Sequence, residues 1–294
     1  MEIMVLGTGA GEGYPNAWCA CRNCSYAREH GGRNLRANSS ILIDGKLLID
    51  MTESALNNAV RFGVSLAPVK TLLVTHAHSD HFVANQLWKR YFPSAYRPFT
   101  EDELCERKGA PCVTPLPMLD IFGTRFVGEA IRSAGDLPEE NEEYHFSFHP
   151  VRGLETFQTD GYSVTALPAR HGPEGFTLNY IVEKDGASLL YSSDTGGYDE
   201  KAWEVIARRR FTCVMVEATS GKMPASEEAH HMNLDKLEVF FRRLQELGCL
   251  APGSGCYLTH MSPHWTPPHD ILAPIMEQKG VDVAYDGQVI RTEA

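Results

Sequence analysis

A chain of 294 residues with 43% hydrophobic composition carries enough apolar material for a large buried core, which excludes a disordered polypeptide. The formal net charge of −11 argues against broad electrostatic attraction to nucleic acid or anionic membranes, and leaves room for a compact anionic substrate held by metal. Eight cysteines, a start (MEIMVLG) with no basic and apolar leader, and no apolar window of about eighteen residues predict a cytoplasmic protein whose thiols are metal ligands or core residues.

Residues 1–6 read as a strand leading into GTGAGEG. That run is neither a Rossmann loop, because Glu12 occupies the third glycine position counted from Gly7 and Gly9, nor a Walker loop, because no Gly-Lys-Ser/Thr follows. It reads as a tight turn that lets backbone approach a site, with phosphate contact through its amides as the weaker option. Next comes WCACRNC, with Cys19, Cys21 and Cys24 inside six residues. A CxC followed by xxC offers three metal ligands where a redox switch needs a dithiol. Cys105, Cys112, Cys213, Cys249 and Cys256 show no ligand spacing and read as core or loop thiols.

Short apolar runs at 40–44 and 46–50 flank an Asp44-Gly45 turn; a helix is expected from 53 to 62 and a strand over 70–75. The second half repeats this order: strands at 178–184 and 187–192 around Asp185-Gly186, a helix at 199–209, a strand at 212–216. Each half is a hairpin, an Asp (Asp50, Asp194), a helix and a strand, which predicts two related βα halves. A helix at 233–247, a strand at 256–259, a helix at 268–278 and a closing hairpin around Asp286-Gly287 complete the chain. Strands alternating with helices predict an α/β architecture of layered sheets. Residues 91–149, rich in Pro, Glu and aromatics, break the pattern and read as an insertion or lid on one domain spanning 1–294, with an ordinary variable loop carrying some strands as the alternative.

The chemistry is concentrated in VTHAHSDHFV, where His76, His78, Asp80 and His81 follow an apolar strand. Residues two apart in extended chain point the same way, so His76 and His78 can reach one ion while Asp80 and His81 turn toward another. Four such side chains would be costly to bury together unless something bound them. Further ligands are then required, and His171 (ALPARHG), Asp194 (YSSDTGG) and His260 (YLTHMS) each sit just past an apolar run. Two divalent cations a few Å apart would lower the pKa of a shared water toward neutrality and neutralise a developing oxyanion, with Asp80 orienting the hydroxide.

The glycine-rich first strand, the HxHxDH motif and the later His, Asp and His resemble the metallo-β-lactamase superfamily in content and order. The resemblance covers most of the chain and implies an αββα sandwich. It implies that His76, His78 and His171 hold one ion, that Asp80, His81 and His260 hold the other, and that Asp194 bridges them. His78 stands where the oxygen-reducing di-iron branch has Glu, which favours hydrolysis.

Within the superfamily, LGTGAGEGYPNAWCACRNC, SSILIDGKLLID, SDTGGY, AHHMNLD and LTHMS are similar to the phosphoribosyl cyclic phosphodiesterases of phosphonate degradation. That likeness implies two active-site Zn²⁺ or Mn²⁺ ions. It also implies a structural zinc on Cys19, Cys21, Cys24 and His231, with His230 as the competing fourth ligand. The partner it implies is a small phosphate ester; a homodimer is an open alternative that the sequence does not decide. VEATSG departs from the branch by lacking its phosphate-assisting His, so the proton donor falls to His264 or to the unused member of the 230/231 pair. The tRNA 3′-processing branch shares HxHxDH but uses a Gly- and Lys-rich arm absent here, and the pyrroloquinoline-quinone branch generally lacks the full HxHxDH set. Lactone or thioester hydrolysis on the same metals, and a non-catalytic metal-binding role, are the competing readings.

Overall fold

The protein is described here from a computed structural model, which covers residues 1–90, 116–134, 140–141, 144–224 and 230–292. One sheet takes β1 (Glu2–Gly7), β2 (Ser40–Ile43), β3 (Leu47–Ile49), β4 (Thr71–Leu73), β5 (Leu119–Gly123), β6 (Glu140–Asn141), β7 (Phe146–Pro150) and β15 (Val289–Arg291). The second takes β8 (Thr156–Thr159), β9 (Tyr162–Pro168), β10 (Leu178–Lys184), β11 (Ala187–Ser192), β12 (Phe211–Glu217), β13 (Leu250–Thr259) and β14 (Asp282–Val283). Their orders are β15-β1-β2-β3-β4-β5-β7-β6 and β14-β13-β12-β11-β10-β9-β8. The helices are α1 (Arg22–His30), α2 (Glu53–Arg61), α3 (Arg125–Ser133), α4 (Glu200–Ile206), α5 (Leu234–Glu246) and α6 (His269–Glu277). No helix among the described residues is long and apolar enough to cross a membrane.

Alternation along the strands builds the layers. Ile41, Ile43, Leu47 and Ile49 of the first sheet share one core with Tyr180, Val182, Leu189 and Tyr191 of the second. Leu42 and Leu48, one residue out of phase, pack with Ala55 and Ala59 of α2. Leu190, Val214 and Val216 turn outward to Trp203 of α4, Phe240 of α5 and Leu272 of α6. Both faces of these strands are buried, which is why the sequence shows continuous apolar runs there and no polar alternation. The result is the expected αββα sandwich.

The repeated half is present in the structure. The β2–β3 hairpin turns through Asp44 and Gly45, at φ of 49° and 68°, and the β10–β11 hairpin through Asp185 and Gly186, at 48° and 82°, the geometry of a two-residue primed turn. Each then runs into an aspartate in the left-handed region, Asp50 (φ 61°) and Asp194 (φ 47°). A capped helix follows: Thr52 Oγ1 accepts from Ala55 N at 3.2 Å, and Asp199 Oδ1 accepts from Ala202 N at 2.8 Å. Each half closes with a parallel strand, β4 on β3 and β12 on β11.

Two expectations are corrected. The stretch read as an insertion contains structural layers: β5 pairs with β4, β7 pairs with β5, and Val127 and Ile131 of α3 are buried in the outer core. Leu-Asp-Ile-Phe-Gly is too short and mixed to stand out by period, yet its Phe122 reaches the inter-sheet core. The remainder, 91–115, 135–139 and 142–143, lies outside the described residues, as do Cys105 and Cys112. The closing segment is no hairpin either. Asp282–Val283 pairs with β13 and Val289–Arg291 with β1, so the chain around Asp286-Gly287 passes from one sheet to the other.

Candidate metal centre

Seven side chains from four strand ends converge at one edge of the sandwich. His76, His78, Asp80 and His81 follow β4, His171 follows β9, Asp194 follows β11 and His260 follows β13. In one group, His76 Nε2 lies 2.9 Å from His78 Nδ1 and 3.6 Å from Asp194 Oδ2. His171 Nε2 lies 3.2 Å from that His78 nitrogen and 3.4 Å from the same carboxylate oxygen. In the other, His81 Nε2 and His260 Nε2 are 3.0 Å apart. They stand 3.4 and 2.8 Å from Asp194 Oδ1, and 3.5 and 3.7 Å from Asp80 Oδ2. Asp194 thus gives one oxygen to each group.

These sets fit divalent ions. A tetrahedral zinc with bonds of about 2.0–2.1 Å to nitrogen or oxygen spaces its ligand atoms roughly 3.3 Å apart. Asp194 Oδ1 is wholly buried and accepts no well-formed hydrogen bond, although His260 Nε2 is 2.8 Å away. His81 and His260 aim the same ring atom at one another while both Nδ1 atoms are engaged elsewhere, an arrangement a cation between them relieves.

A second layer fixes the rings. His81 Nδ1 lies 2.7 Å from Asp50 Oδ2, and Asp50 also accepts from Thr75 N at 2.8 Å. His260 Nδ1 lies 2.8 Å from Thr219 Oγ1, and His171 Nδ1 3.3 Å from the His230 carbonyl. The two repeat-related aspartates have therefore divided the work, Asp194 facing the cluster and Asp50 orienting a member of it. Asp194 and His260 (φ 53°) both hold left-handed backbone, a strain of roughly 1–3 kcal/mol each that persists only where the surroundings enforce it.

Charge is balanced across the cluster. Burial opposes ionisation of Asp194, but His260 and His81 beside it outweigh that and hold its pKa well below the usual carboxylate range. Burial likewise works against charge on His260, yet Asp194 raises it to about 10. His76 moves the other way, lowered by burial and then by the neighbouring His81. Asp80 is held below the usual carboxylate range, burial being outweighed by the neighbouring His260 and His81.

The edge opens into a cavity of about 270 Å³ whose walls include Gly11, Asp80, His171, Thr219, His231 and Trp265. A Cβ on Gly11 would stand 3.0 Å from Asp80 Oδ2, so the glycine-rich turn does approach the site as expected. One functional group escaped the sequence reading. Glu217, fully buried at the end of β12, accepts from Thr195 N at 2.7 Å and Thr219 N at 3.1 Å, and its Oε1 lies 2.9 Å from His231 Nδ1. A charged residue ending an apolar strand (FTCVMVE) was the available signal. Burial opposes charge on His231, and Glu217 more than compensates, raising its pKa.

Cys19, Cys21 and Cys24 do come together, their sulfurs within 4.8 Å of one another. His231 does not join them. It groups instead with Glu217 and His260, and His230 packs against the His171 ring with centroids 6.1 Å apart. The chain beside the thiols is the 262–266 turn, held by Asn23 Nδ2, which donates to the carbonyls of Pro263 at 2.9 Å and Thr266 at 3.3 Å. His264, carried on that turn, is partly exposed with Nδ1 3.3 Å from Glu12 Oε1, and it is not among the cavity walls. Its partner Glu12 and the flanking Ser262 and Trp265 are among those walls, as is His231.

A sequence model of the β-lactamase superfamily domain matches residues 41–261. Ribonuclease Z of Mycobacterium marinum is 28% identical over 198 residues, covering 66% of this chain and 63% of that protein. Ribonuclease Z of Mycobacterium avium is 28% identical over 219 residues, covering 69% and 66%. The chain thus spans slightly less than two thirds of the length of these curated relatives. Among solved structures, a diphosphatase of the PhnP family superposes with a TM-score of 0.70 at 21% identity, covering 99% of this chain and 98% of that one. Zn²⁺-bound PqqB of Methylobacterium extorquens gives 0.69 at 19%, covering 99% and 100%. The short form of human tRNase Z gives 0.65 at 16%, covering 100% of both chains. At these identities the superpositions show a shared fold.

Proposed function

Because the chain belongs to the metallo-β-lactamase superfamily, we propose that it is a dinuclear metal-dependent hydrolase cleaving a phosphodiester. The observation that carries this is the pair of four-donor groups sharing Asp194. Two divalent ions held there, zinc or manganese, would supply an activated water near neutral pH and neutralise charge on the phosphoryl oxygens.

The chain's own residues do the rest. His76, His78 and His171 hold one ion, Asp80, His81 and His260 the other. Asp80 lines the cavity as a carboxylate able to orient the attacking water. His231, backed by Glu217, faces the same cavity and can give a proton to the departing oxygen; Glu217 fixes which ring nitrogen is free to do so. Thr219 and Asp50 keep the His260 and His81 rings aimed. The three thiols would hold a further, structural zinc.

Bis(p-nitrophenyl) phosphate has a leaving group that departs without a proton, whereas a dinucleotide does not. His231→Ala should therefore lower turnover of the dinucleotide by roughly 10²–10⁴-fold and that of the aryl ester far less. Equal losses on both would remove His231 as the proton donor. If the metal-loaded protein cleaves neither diester but opens a lactone or thioester, the phosphodiester reading is wrong. The ribonuclease Z relatives favour a second reading in which the diester lies in RNA; a tRNA precursor with a 3′ extension, assayed beside the dinucleotide, separates it from a small-molecule substrate.

A further inference from the structure

The outer layer that orients the edge rings is uneven. His81 Nδ1 faces Asp50 and His260 Nδ1 faces Thr219, while His76 Nδ1 lies 3.1 Å from Thr75 Oγ1 and His171 Nδ1 3.3 Å from a main-chain carbonyl. His78 differs from these four. It is the exposed member of its group, it turns Nδ1 toward His76 and His171, and its Nε2 has no hydrogen-bond partner among the described residues. An imidazole without such a partner turns freely about its last torsion, and that freedom is lost when it binds an ion.

An aromatic ring stands against the histidine that lacks the hydrogen bond. Phe176 packs on His78 with ring centroids 4.9 Å apart, and on His76 at 5.5 Å. It sits on the 169–177 loop that also presents His171. That loop is closed by Thr177, whose Oγ1 donates to the His171 carbonyl at 2.7 Å and whose carbonyl accepts from Ala169 N at 3.2 Å. The corner between β5 and α3 holds Phe176 in turn: Phe126 meets its ring edge-to-face at 5.1 Å, and Thr124 Oγ1 donates to its carbonyl at 3.3 Å. Room for the ring depends on Gly172 (φ 75°), where a Cβ would stand 2.6 Å from Phe176 Cδ1.

We propose that Phe176 is a positioning residue for metal binding. Its ring confines His78 to the orientation in which Nδ1 joins His76, His171 and Asp194, so that packing does for this ligand what hydrogen bonds do for the other four histidines. The inference rests on the two-ion reading of the edge and makes the two ions unequal in their dependence on Phe176. Among the described residues the ring contacts two histidines of one group and neither His81 nor His260 of the other. Through Phe126, α3 and the segment expected to be an insertion also gain a part at the metal edge.

The test is zinc affinity of the full chain, measured by competition with a chelator, with anomalous peak heights in crystals grown at limiting zinc assigning each loss to a group. Phe176→Ala should weaken zinc at His76, His78 and His171 by roughly 10–100-fold, the range for loss of an outer-layer partner. Zinc at Asp80, His81 and His260, and at the thiols, should be unchanged. Phe176→Tyr keeps the ring and should retain the wild-type affinity. Phe126→Ala leaves the 169–177 loop intact and should weaken the same ion to a smaller degree. Unchanged zinc in Phe176→Ala, an equal loss from all three clusters, or a Phe176→Tyr as weak as the alanine variant overturns the proposal. If Phe176→Ala does not fold, unchanged zinc in Phe126→Ala overturns it in the same way. A wild type with no second zinc beside Asp194 removes the two-ion reading and the proposal with it, whereas two equally tight zincs in the wild type and in Phe176→Ala remove the proposal alone.

Discussion

The histidine–aspartate edge and the cysteine turn are both clusters of metal-binding atoms, and they are built in opposite ways. The edge gathers seven side chains from four strand ends, and its donor atoms lie 2.8–3.7 Å apart. The far nitrogens of several rings are held by Asp50, Thr219 and main chain. The thiols come from a single turn of six residues, and no histidine among the described residues shares their group. The first cluster depends on the whole sandwich and leaves a cavity at its mouth, as a reacting site needs. The second depends on local chain, as a staple does. Perturbing the edge should therefore cost chemistry first, and perturbing the turn should cost stability first.

The sharpest way to break that contrast is Asp194→Ala, which removes an oxygen from each group. Both edge metals should go, and diester turnover should fall by well over the roughly 10–100-fold typical of an outer-layer change. Asp50→Ala leaves every proposed ligand in place and frees only the His81 ring; its loss should stay within about 10–100-fold, read as activity at limiting metal. A loss as deep as that of Asp194→Ala would mean that the two repeat-related aspartates are not divided as described.

Glu217→Gln sharpens the assignment by pH. Glu217 raises the pKa of His231, and a proton donor works only below its own pKa. Removing the carboxylate should move the alkaline limb of the dinucleotide pH–rate profile to lower pH, with the acid limb little changed. A limb that stays put would separate His231 from proton donation. The smallest effect on turnover belongs to Cys21→Ser. It should remove one metal and lower the melting temperature by roughly 5–10 °C, corresponding to about 2–3 kcal/mol, while activity at low temperature persists. Abolished turnover in a folded, metal-loaded variant would contradict the staple.

The two clusters also differ in how far they could be read before the structure. Both were visible as local motifs, because HxHxDH and CxCxxC are short-range patterns. The seven edge residues could be picked out because each follows shortly after a recognisable apolar run, and the structure gathers them into two groups that share Asp194. The fourth partner of the thiols was misplaced because it depends on long-range packing: the identity of the turn lying on α1 is set by Asn23 and the 262–266 carbonyls, which no spacing encodes. Glu217 escaped for a related reason, its role arising only when the His231 ring folds over the end of β12. β5 and β7 were absorbed into an expected insertion because strands of five residues with mixed character carry no clear period, while the register that places them comes from β4.

Anomalous scattering from a crystal of the protein prepared with zinc tests the central claim most directly. Two peaks should flank Asp194, one ringed by His76, His78 and His171 and the other by Asp80, His81 and His260, with a third peak at Cys19, Cys21 and Cys24. A zinc peak at the thiols with none beside Asp194, or a single ion taking donors from both edge groups, would contradict it.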